Sequence, residues 1–197
     1  MENPKVEICF IGNAIVDILA KISNETLNKL KIPKGSMQLV DEDASNKIIE
    51  CIQNPSIVSG GSAANTAVGF KSLGGKCSFI GQIGKDKFGN LFSKDLNNSG
   101  IFFEFKNSQI TEKTSKSIIL VTPDAERSMN TFLGASIKFN INSFDERYIT
   151  NSSMIYIEGY LFDQPEAKEA IYNCCILAKS QNKKVSLSLS DLFCVDR

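Results

Sequence analysis

Between Ser59 and Gly89 the chain reads SGGSAANTAVGFKSLGGKCSFIGQIGKDKFG, which predicts the end of a strand, a Gly-Gly turn and a helix of small residues. Gly60 and Gly61 allow another backbone or a ligand to approach the turn closely. Ser62 is the expected N-cap of the helix. Asn65 lies in its first turn, where an amide can both donate and accept hydrogen bonds. A ligand-binding turn and a purely structural one both fit this pattern.

A second polar segment, Gly12–Asp17 (GNAIVD), directly follows the first predicted strand. Ligands of open α/β sheets bind outside the carboxyl ends of the strands, so this segment and the Gly-Gly turn are expected at one edge of the sheet. An ionised Asp17 accepts hydrogen bonds, and Asn13 both accepts and donates them, which suits sugar hydroxyl groups. Capping of the loop by Asx turns is the alternative interpretation.

The rest of the chain alternates strand and helix patterns, which predicts an α/β fold with a mostly parallel sheet and helices on both faces, a three-layer arrangement. Two stretches, 18–40 and 101–133, break the alternation and are expected to form a small β lid. No helix is expected after the last strand. The predicted strands are Lys5–Ile11, Pro55–Ser59, Cys77–Ile83, Ser117–Thr122, Arg127–Leu133, Met154–Glu158 and Val185–Ser190, and the predicted helices are Asp43–Gln53, Ser62–Leu73, Lys87–Asn98 and Pro165–Ser180.

Composition excludes several classes of function. The 197 residues contain no His, which removes Ser-His-Asp triads and His-ligated metal sites, so a general base would be a carboxylate or, less often, Lys, Tyr or Cys. Lys plus Arg and Asp plus Glu both number 22, which argues against nucleic acid or an anionic membrane as a partner. Six Cys without a C-x-x-C pair are expected to be buried in a reducing cytoplasm.

Two common nucleotide-binding motifs are absent. No G-x-x-x-x-G-K-[ST] loop occurs, because the nearest candidate, Gly75-Lys76, is followed by Cys77 and has Phe70 at the first glycine position. No G-x-G-x-x-G sequence occurs at a strand–helix junction either.

Taken together, the motifs resemble those of the ribokinase-like, or pfkB-type, carbohydrate kinase family, in the branch close to adenosine kinase. The spacing of the glycines and the Asn around the Gly-Gly turn matches the first signature of that family. The resemblance covers essentially the whole chain. The matching segments are Gly12–Asp17, Lys34–Met37, Gly60-Gly61, Asn65-Thr66-Ala67, Gly74, Gly84–Gly89 (GKDKFG), Arg127–Ala135 (RSMNTFLGA) and Tyr156–Tyr160 (YIEGY).

The resemblance implies a set of substrate-binding residues. Asp17 would hold sugar hydroxyls with Asn13 beside it, and Arg127 would reach toward the substrate or the transferred phosphate. A surface Arg on the lid strand is the alternative for that residue. Tyr160 and Leu161 lie where family members contact a base or sugar, with the core as the alternative. The implied substrate-binding set is Asn13, Asp17, Gly60, Gly61, Asn65 and Arg127.

The sequence also departs from the family. The G-A-G-D motif, which carries the family's catalytic carboxylate and its anion hole, is absent, as are the N-x-x-E segment associated with Mg²⁺ and the nucleotide-cradling strands. Residues 1–197 are therefore expected to be the N-terminal portion of one ribokinase-like domain, with the Asp base beyond Arg197 and with no catalytic, cofactor-binding or metal-binding residue of its own.

The activity that the resemblance implies is transfer of a phosphoryl group from ATP, with Mg²⁺, to a primary hydroxyl of an adenosine-like ribonucleoside or a sugar. The chain alone is expected to be inactive. The alternative is a catalytically inactive remnant that binds a sugar or nucleoside. A homodimer formed through the lid is a further implication of the resemblance.

Overall fold

The computed structural model describes residues 5–103 and 110–196, which form two β-sheets and the helices packed on them. Residues 104–109 of the predicted excursion 101–133 lie outside the described part. The strands are β1 (Val6–Ile11), β2 (Ile15–Lys21), β3 (Met37–Leu39), β4 (Ser56–Gly60), β5 (Cys77–Ile80), β6 (Ser115–Val121), β7 (Arg127–Phe132), β8 (Ser152–Glu158) and β9 (Lys184–Ser188). The α-helices are α1 (Asn24–Lys29), α2 (Glu42–Glu50), α3 (Ser62–Ser72), α4 (Lys87–Asn98), α5 (Arg147–Thr150), α6 (Pro165–Ser180) and α7 (Leu192–Asp196), and 3₁₀ helices span Gly134–Lys138, Ile141–Ser143 and Gly159–Asp163.

The main sheet is parallel, with the strand order β5-β1-β8-β9. Residues of β1 alternate between its two faces, as in any strand. Phe10 joins the apolar cluster that includes residues of α3 and α4, whereas Cys9 and Ile11 join the cluster that includes residues of α5 and α6. Helices therefore cover both faces of the sheet, which confirms the predicted α/β fold class.

The second sheet has five strands in the order β3-β7-β6-β2-β4. Strands β6 and β7 form an antiparallel pair on either side of a turn at Pro123-Asp124, and β2 runs parallel to β6. One face of this sheet is buried through Val16, Ile18 and Ile118. The opposite face carries the alternate residues, and it borders the cavity described below.

Strand β4 and the surroundings of Asp17 differ from the expectation. The run Pro55–Ser59 was expected in the main sheet, but β4 pairs antiparallel with β2, and Ile15 lies opposite Gly60. Asp17 accordingly lies within β2, not in a loop after the first strand. A short apolar run does not encode which sheet it joins, because that choice depends on the register with a distant strand.

The chain after β9 also differs from the expectation, because α7 follows where no helix was expected. Strands β3, β6 and β7 of the second sheet lie within the predicted excursions 18–40 and 101–133, whereas β2 lies only partly within the first of them and β4 lies outside both. Its role as a lid stays a prediction.

Three aromatic rings illustrate how the main sheet is held to α4. Phe79, Phe92 and Phe103 are buried, and their ring centroids lie 5.4–5.9 Å apart. We expect Phe92→Ala to lower the free energy of unfolding by about 3–5 kcal/mol, because it leaves a cavity among these rings. Leu73→Ala is the control, since Leu73 is 89% exposed, and it should change the free energy by less than about 0.5 kcal/mol. Equal effects in urea-induced unfolding would contradict the packing described.

Candidate functional site

A cavity of about 530 Å³ lies between the outer face of the second sheet and the carboxyl edge of the main sheet. This edge is where α/β folds bind ligands. The second sheet contributes mainly apolar side chains, and the main sheet contributes polar ones. The lining residues are Asn13, Ile15, Asp17, Met37, Leu39, Gly61, Ser62, Asn65, Ser117, Ile119, Met129, Thr131, Leu133, Glu158, Tyr160, Asp163 and Asp191.

The Glu158 carboxylate is the most buried charged group of the cavity wall, with 1% of the residue exposed. It accepts hydrogen bonds from the Asn13 backbone N–H (3.2 Å), the Ser62 hydroxyl (2.7 Å) and the Ala63 backbone N–H (2.8 Å). Burial raises the pKa of Glu158, and these hydrogen bonds oppose the shift. The carboxylate thereby fastens the β1–β2 connection and the start of α3 to the end of β8.

The start of α3 differs in detail from the prediction that Ser62 is its N-cap. Gly61 occupies that position with a φ of 95°, a conformation that side chains disfavour, and it provides no side-chain cap. The Glu158 carboxylate supplies the missing acceptor from another part of the chain. Ser62 is the first helical residue, and its hydroxyl donates to the same carboxylate.

The Gly-Gly turn is shaped by contact with β2 and the residues before it. A Cβ atom on Gly60 would lie 2.2 Å from Oδ2 of Asp17, and one on Gly61 would lie 2.6 Å from the backbone oxygen of Asn13. Burial raises the pKa of Asp17 to about 6. The two glycines are therefore needed for Asp17 and Asn13 to lie where they do.

The structure brings together four of the six sequence-predicted residues at the cavity. The cavity is lined by Asn13, Asp17, Gly61 and Asn65. Gly60 does not line it but lies next to the Asp17 carboxylate. Arg127 is exposed at the first position of β7, opposite Val121, and does not line the cavity. Its side chain is thus placed apart from the other five.

Three carboxylates were missed as site residues by the sequence analysis. Glu158, Asp163 and Asp191 all follow or end a main-sheet strand, so the carboxyl-edge rule could have found them. Tyr160, which was expected to make apolar contacts, lies beside them. The pKa of Tyr160 is raised to about 12, mainly by burial and in addition by Asp191, which is hydrogen-bonded to the phenol.

The G-x-D-x-x-G segment has a structural explanation. The Asp86 carboxylate accepts hydrogen bonds from the Gly89 N–H (2.8 Å), the Thr114 N–H (2.9 Å) and the Thr114 hydroxyl (2.7 Å). Burial alone would raise the pKa of Asp86, but these hydrogen bonds hold it below its usual value. Cβ atoms on Gly84 and Gly89 would collide with this loop. Asp86 therefore fastens the start of α4 to the residue before β6.

Two negative findings hold for residues 5–103 and 110–196. Within these ranges no three His, Cys, Asp or Glu side chains are grouped so that they could hold a metal ion. In the same part of the chain, no helix is long and apolar enough to cross a bilayer.

Gly60→Ala tests the fit between β4 and Asp17. We expect it to lower the free energy of unfolding by more than about 2 kcal/mol, because its Cβ would overlap the Asp17 carboxylate. Gly69→Ala is the matched control, since Gly69 lies within α3 with open space around it, and it should stabilise the chain by up to about 1 kcal/mol. Thermal unfolding of both variants checks this, and a neutral Gly60→Ala would contradict the geometry.

Comparison with known proteins places this architecture in a family. Residues 36–194 match the pfkB family of carbohydrate kinases. A 5-dehydro-2-deoxygluconokinase of Clostridium botulinum (strain Alaska E43 / Type E3) is 33% identical over 129 residues, which are 64% of this chain and 38% of that protein.

Solved structures agree with this match. The adenosine kinase of Sinorhizobium meliloti superimposes with a TM-score of 0.87 at 38% identity, over 98% of this chain and 59% of that one. A probable sugar kinase of Rhizobium etli CFN 42 superimposes with a TM-score of 0.87 at 36% identity, over 99% of this chain and 59% of that one. The chain thus spans less than two thirds of the length of these relatives. On the match over residues 36–194, the chain belongs to the pfkB family of carbohydrate kinases, as its motifs predicted.

Proposed function

We propose that this chain supplies the acceptor-binding part of an ATP-dependent kinase, which phosphorylates a primary hydroxyl of an adenosine-like ribonucleoside or a sugar. The observation that carries the proposal is the meeting of Asn13, Asp17, Gly61 and Asn65 in one cavity at the carboxyl edge of the main sheet. These residues come from β2, the β1–β2 connection and the start of α3, so their convergence is a property of the fold.

The chemistry of these groups suits a polyhydroxylated ligand. The Asp17 carboxylate accepts hydrogen bonds from hydroxyl groups, and the Asn65 amide can complement them as donor or acceptor. Gly61 has no side chain, so a sugar ring can approach its backbone. The role of these residues would be to hold the acceptor hydroxyl in one orientation for phosphoryl transfer, a reaction that depends mainly on positioning and charge stabilisation.

The outer face of the second sheet favours a ligand with an apolar part. This face lines the cavity with Met37, Leu39, Ile119 and Met129, and Asp17 is the one charged side chain among its described lining residues. A base stacked against such a surface would bury apolar area, which supports a ribonucleoside acceptor. The Sinorhizobium relative is named an adenosine kinase, whereas the Clostridium relative is named a 5-dehydro-2-deoxygluconokinase, so a sugar stays the second candidate.

Activation of the acceptor hydroxyl and stabilisation of the phosphoryl group are not assigned to this chain, since its sequence contains no G-A-G-D motif. ATP and Mg²⁺ would supply the phosphoryl group and its charge neutralisation in the intact enzyme. A second candidate function, binding without catalysis, is favoured by the same missing motif. The homodimer expected through the second sheet remains part of the proposal.

Binding of the acceptor should depend on ionised Asp17. We expect Asp17→Asn to weaken adenosine or sugar binding by about 10–100-fold, because charge-assisted hydrogen bonds are lost. In the unsubstituted chain the affinity should be constant above about pH 7 and fall about tenfold per unit below about pH 6, as Asp17 becomes protonated. Isothermal titration between pH 5 and 8 measures both effects, and a pH-independent affinity would contradict the role of Asp17.

The stability of the same variant is the control for misfolding. The folded-state pKa of Asp17 lies above its unfolded value of about 3.8, so the stability of the folded chain falls as pH rises between about 4 and 6. Asp17→Asn should therefore be more stable than the parent chain by about 1 kcal/mol at pH 7, with no difference below about pH 4. A variant that binds weakly and is less stable would have lost binding through misfolding.

The purified 197-residue chain should not turn over. With ATP, Mg²⁺ and adenosine, and separately with ribose or fructose, we expect ADP formation at the rate of the protein-free background. Binding measured by titration in the same preparation shows whether the protein is folded and competent. Steady ADP formation that scales with protein concentration would refute the assignment of the chain to acceptor binding alone.

A further inference from the structure

The cavity wall carries four carboxylates, those of Asp17, Glu158, Asp163 and Asp191, and no Lys or Arg among its described lining residues. We propose that the cavity selects its ligand by charge, so that uncharged hydroxylated molecules bind and sugar acids or phosphorylated analogues are rejected. This inference rests on the proposed function, because it concerns the ligand of the same cavity.

The four carboxylates surround the ligand space from two sides. Asp17 projects from β2 in the second sheet, and Glu158, Asp163 and Asp191 follow the ends of β8 and β9 in the main sheet. A ligand between the two sheets is therefore flanked by negative charge whichever way it is turned. Coulomb repulsion in such a partly enclosed space is stronger than in open water.

The feature of this cavity that would attract an anion is already occupied. A helix N-terminus normally favours negative charge, and α3 begins at the cavity. The Glu158 carboxylate accepts hydrogen bonds from the Ala63 N–H and the Ser62 hydroxyl, so these two donors are already paired within the protein. A ligand carboxylate cannot use them without displacing Glu158.

The second sheet offers an anion little compensation. Its described lining residues are the apolar Ile15, Met37, Leu39, Ile119 and Met129, the hydroxyl-bearing Ser117 and Thr131, and Asp17, so it offers two neutral O–H groups and no cationic group. An anionic group facing this surface would lose its hydration and gain no charged partner. A neutral ligand with hydroxyls toward the carboxylates and an apolar part toward this surface meets both sides favourably.

The test compares ligands that share a shape and differ in charge. Adenosine-5′-carboxamide and adenosine-5′-carboxylate form one pair, and D-gluconamide and D-gluconate form the other. Titrations use the full chain at low salt and about pH 8, above the pKa of about 6 of Asp17. We expect the amide of the better-binding pair to bind at least about tenfold tighter than its carboxylate, and added salt to reduce the ratio.

A charge variant separates electrostatic selection from a difference in shape. Asp163→Asn removes one negative charge from the cavity wall. It should reduce the ratio of amide affinity to carboxylate affinity several-fold. Asp43→Asn makes the same change at an exposed position of α2 outside the cavity and should leave the ratio unchanged. If both variants reduce the ratio of amide affinity to carboxylate affinity alike, or if neither reduces it, the proposed charge selection is overturned.

The outcomes distinguish this inference from the proposed function. Preference for the amide together with the Asp163→Asn effect supports charge selection. Equal or tighter binding of the carboxylate overturns it and leaves the proposed function standing. If no neutral ligand of either pair binds, and adenosine and ribose also fail to bind, the proposed function is overturned and this inference falls with it.

Discussion

The buried carboxylate of Glu158 is the interaction on which the geometry of the cavity depends. It must be compensated, because a buried charge without hydrogen-bond donors is strongly destabilising. The donors come from Asn13, Ser62 and Ala63, which belong to separate segments of the chain. Satisfying the charge therefore fixes the β1–β2 connection and the start of α3 relative to β8. Gly12 fits the same arrangement, since a Cβ atom there would lie 2.7 Å from the carboxylate.

A second carboxylate plays the corresponding part at the other junction between the sheets. Asp86 caps α4 and also receives two hydrogen bonds from Thr114, the residue before β6 enters the second sheet. The second sheet is thus tied to the main sheet at β2 by Glu158 and at β6 by Asp86. Both ties join a helix N-terminus to a strand of the neighbouring layer, so helix capping and the relative placement of the sheets are the same interaction.

The sequence predicted what depends on local pattern, and it failed where the outcome depends on distant pairing. Helices α4 and α6 begin and end as expected, because Asp86, Gly100 and Pro165 give local start and stop signals. The sheet that β4 joins could not be predicted, since it depends on its register with β2. Asp17 was predicted as a candidate sugar-binding residue from the polar segment Gly12–Asp17 and from the family resemblance, although the strand that carries it was not predicted. Glu158 was overlooked, because its importance comes from donors that are 95–145 residues away in sequence.

The ionisation of Asp17 connects the stability of the chain to its ligand. Its carboxylate is partly buried and its pKa is raised, which means that the ionised form opposes folding at neutral pH. Burial also raises the pKa of Glu158, but there the protein itself supplies hydrogen-bond donors that oppose the shift. Hydroxyl groups of a neutral ligand would give Asp17 the donors that burial removes, whereas an anionic ligand would add repulsion. Under the proposed function, the same unfavourable burial of Asp17 would make the cavity favour a ligand rich in hydroxyl groups and free of negative charge. The absence of a Cβ atom at Gly60 leaves room for the Asp17 carboxylate at this position.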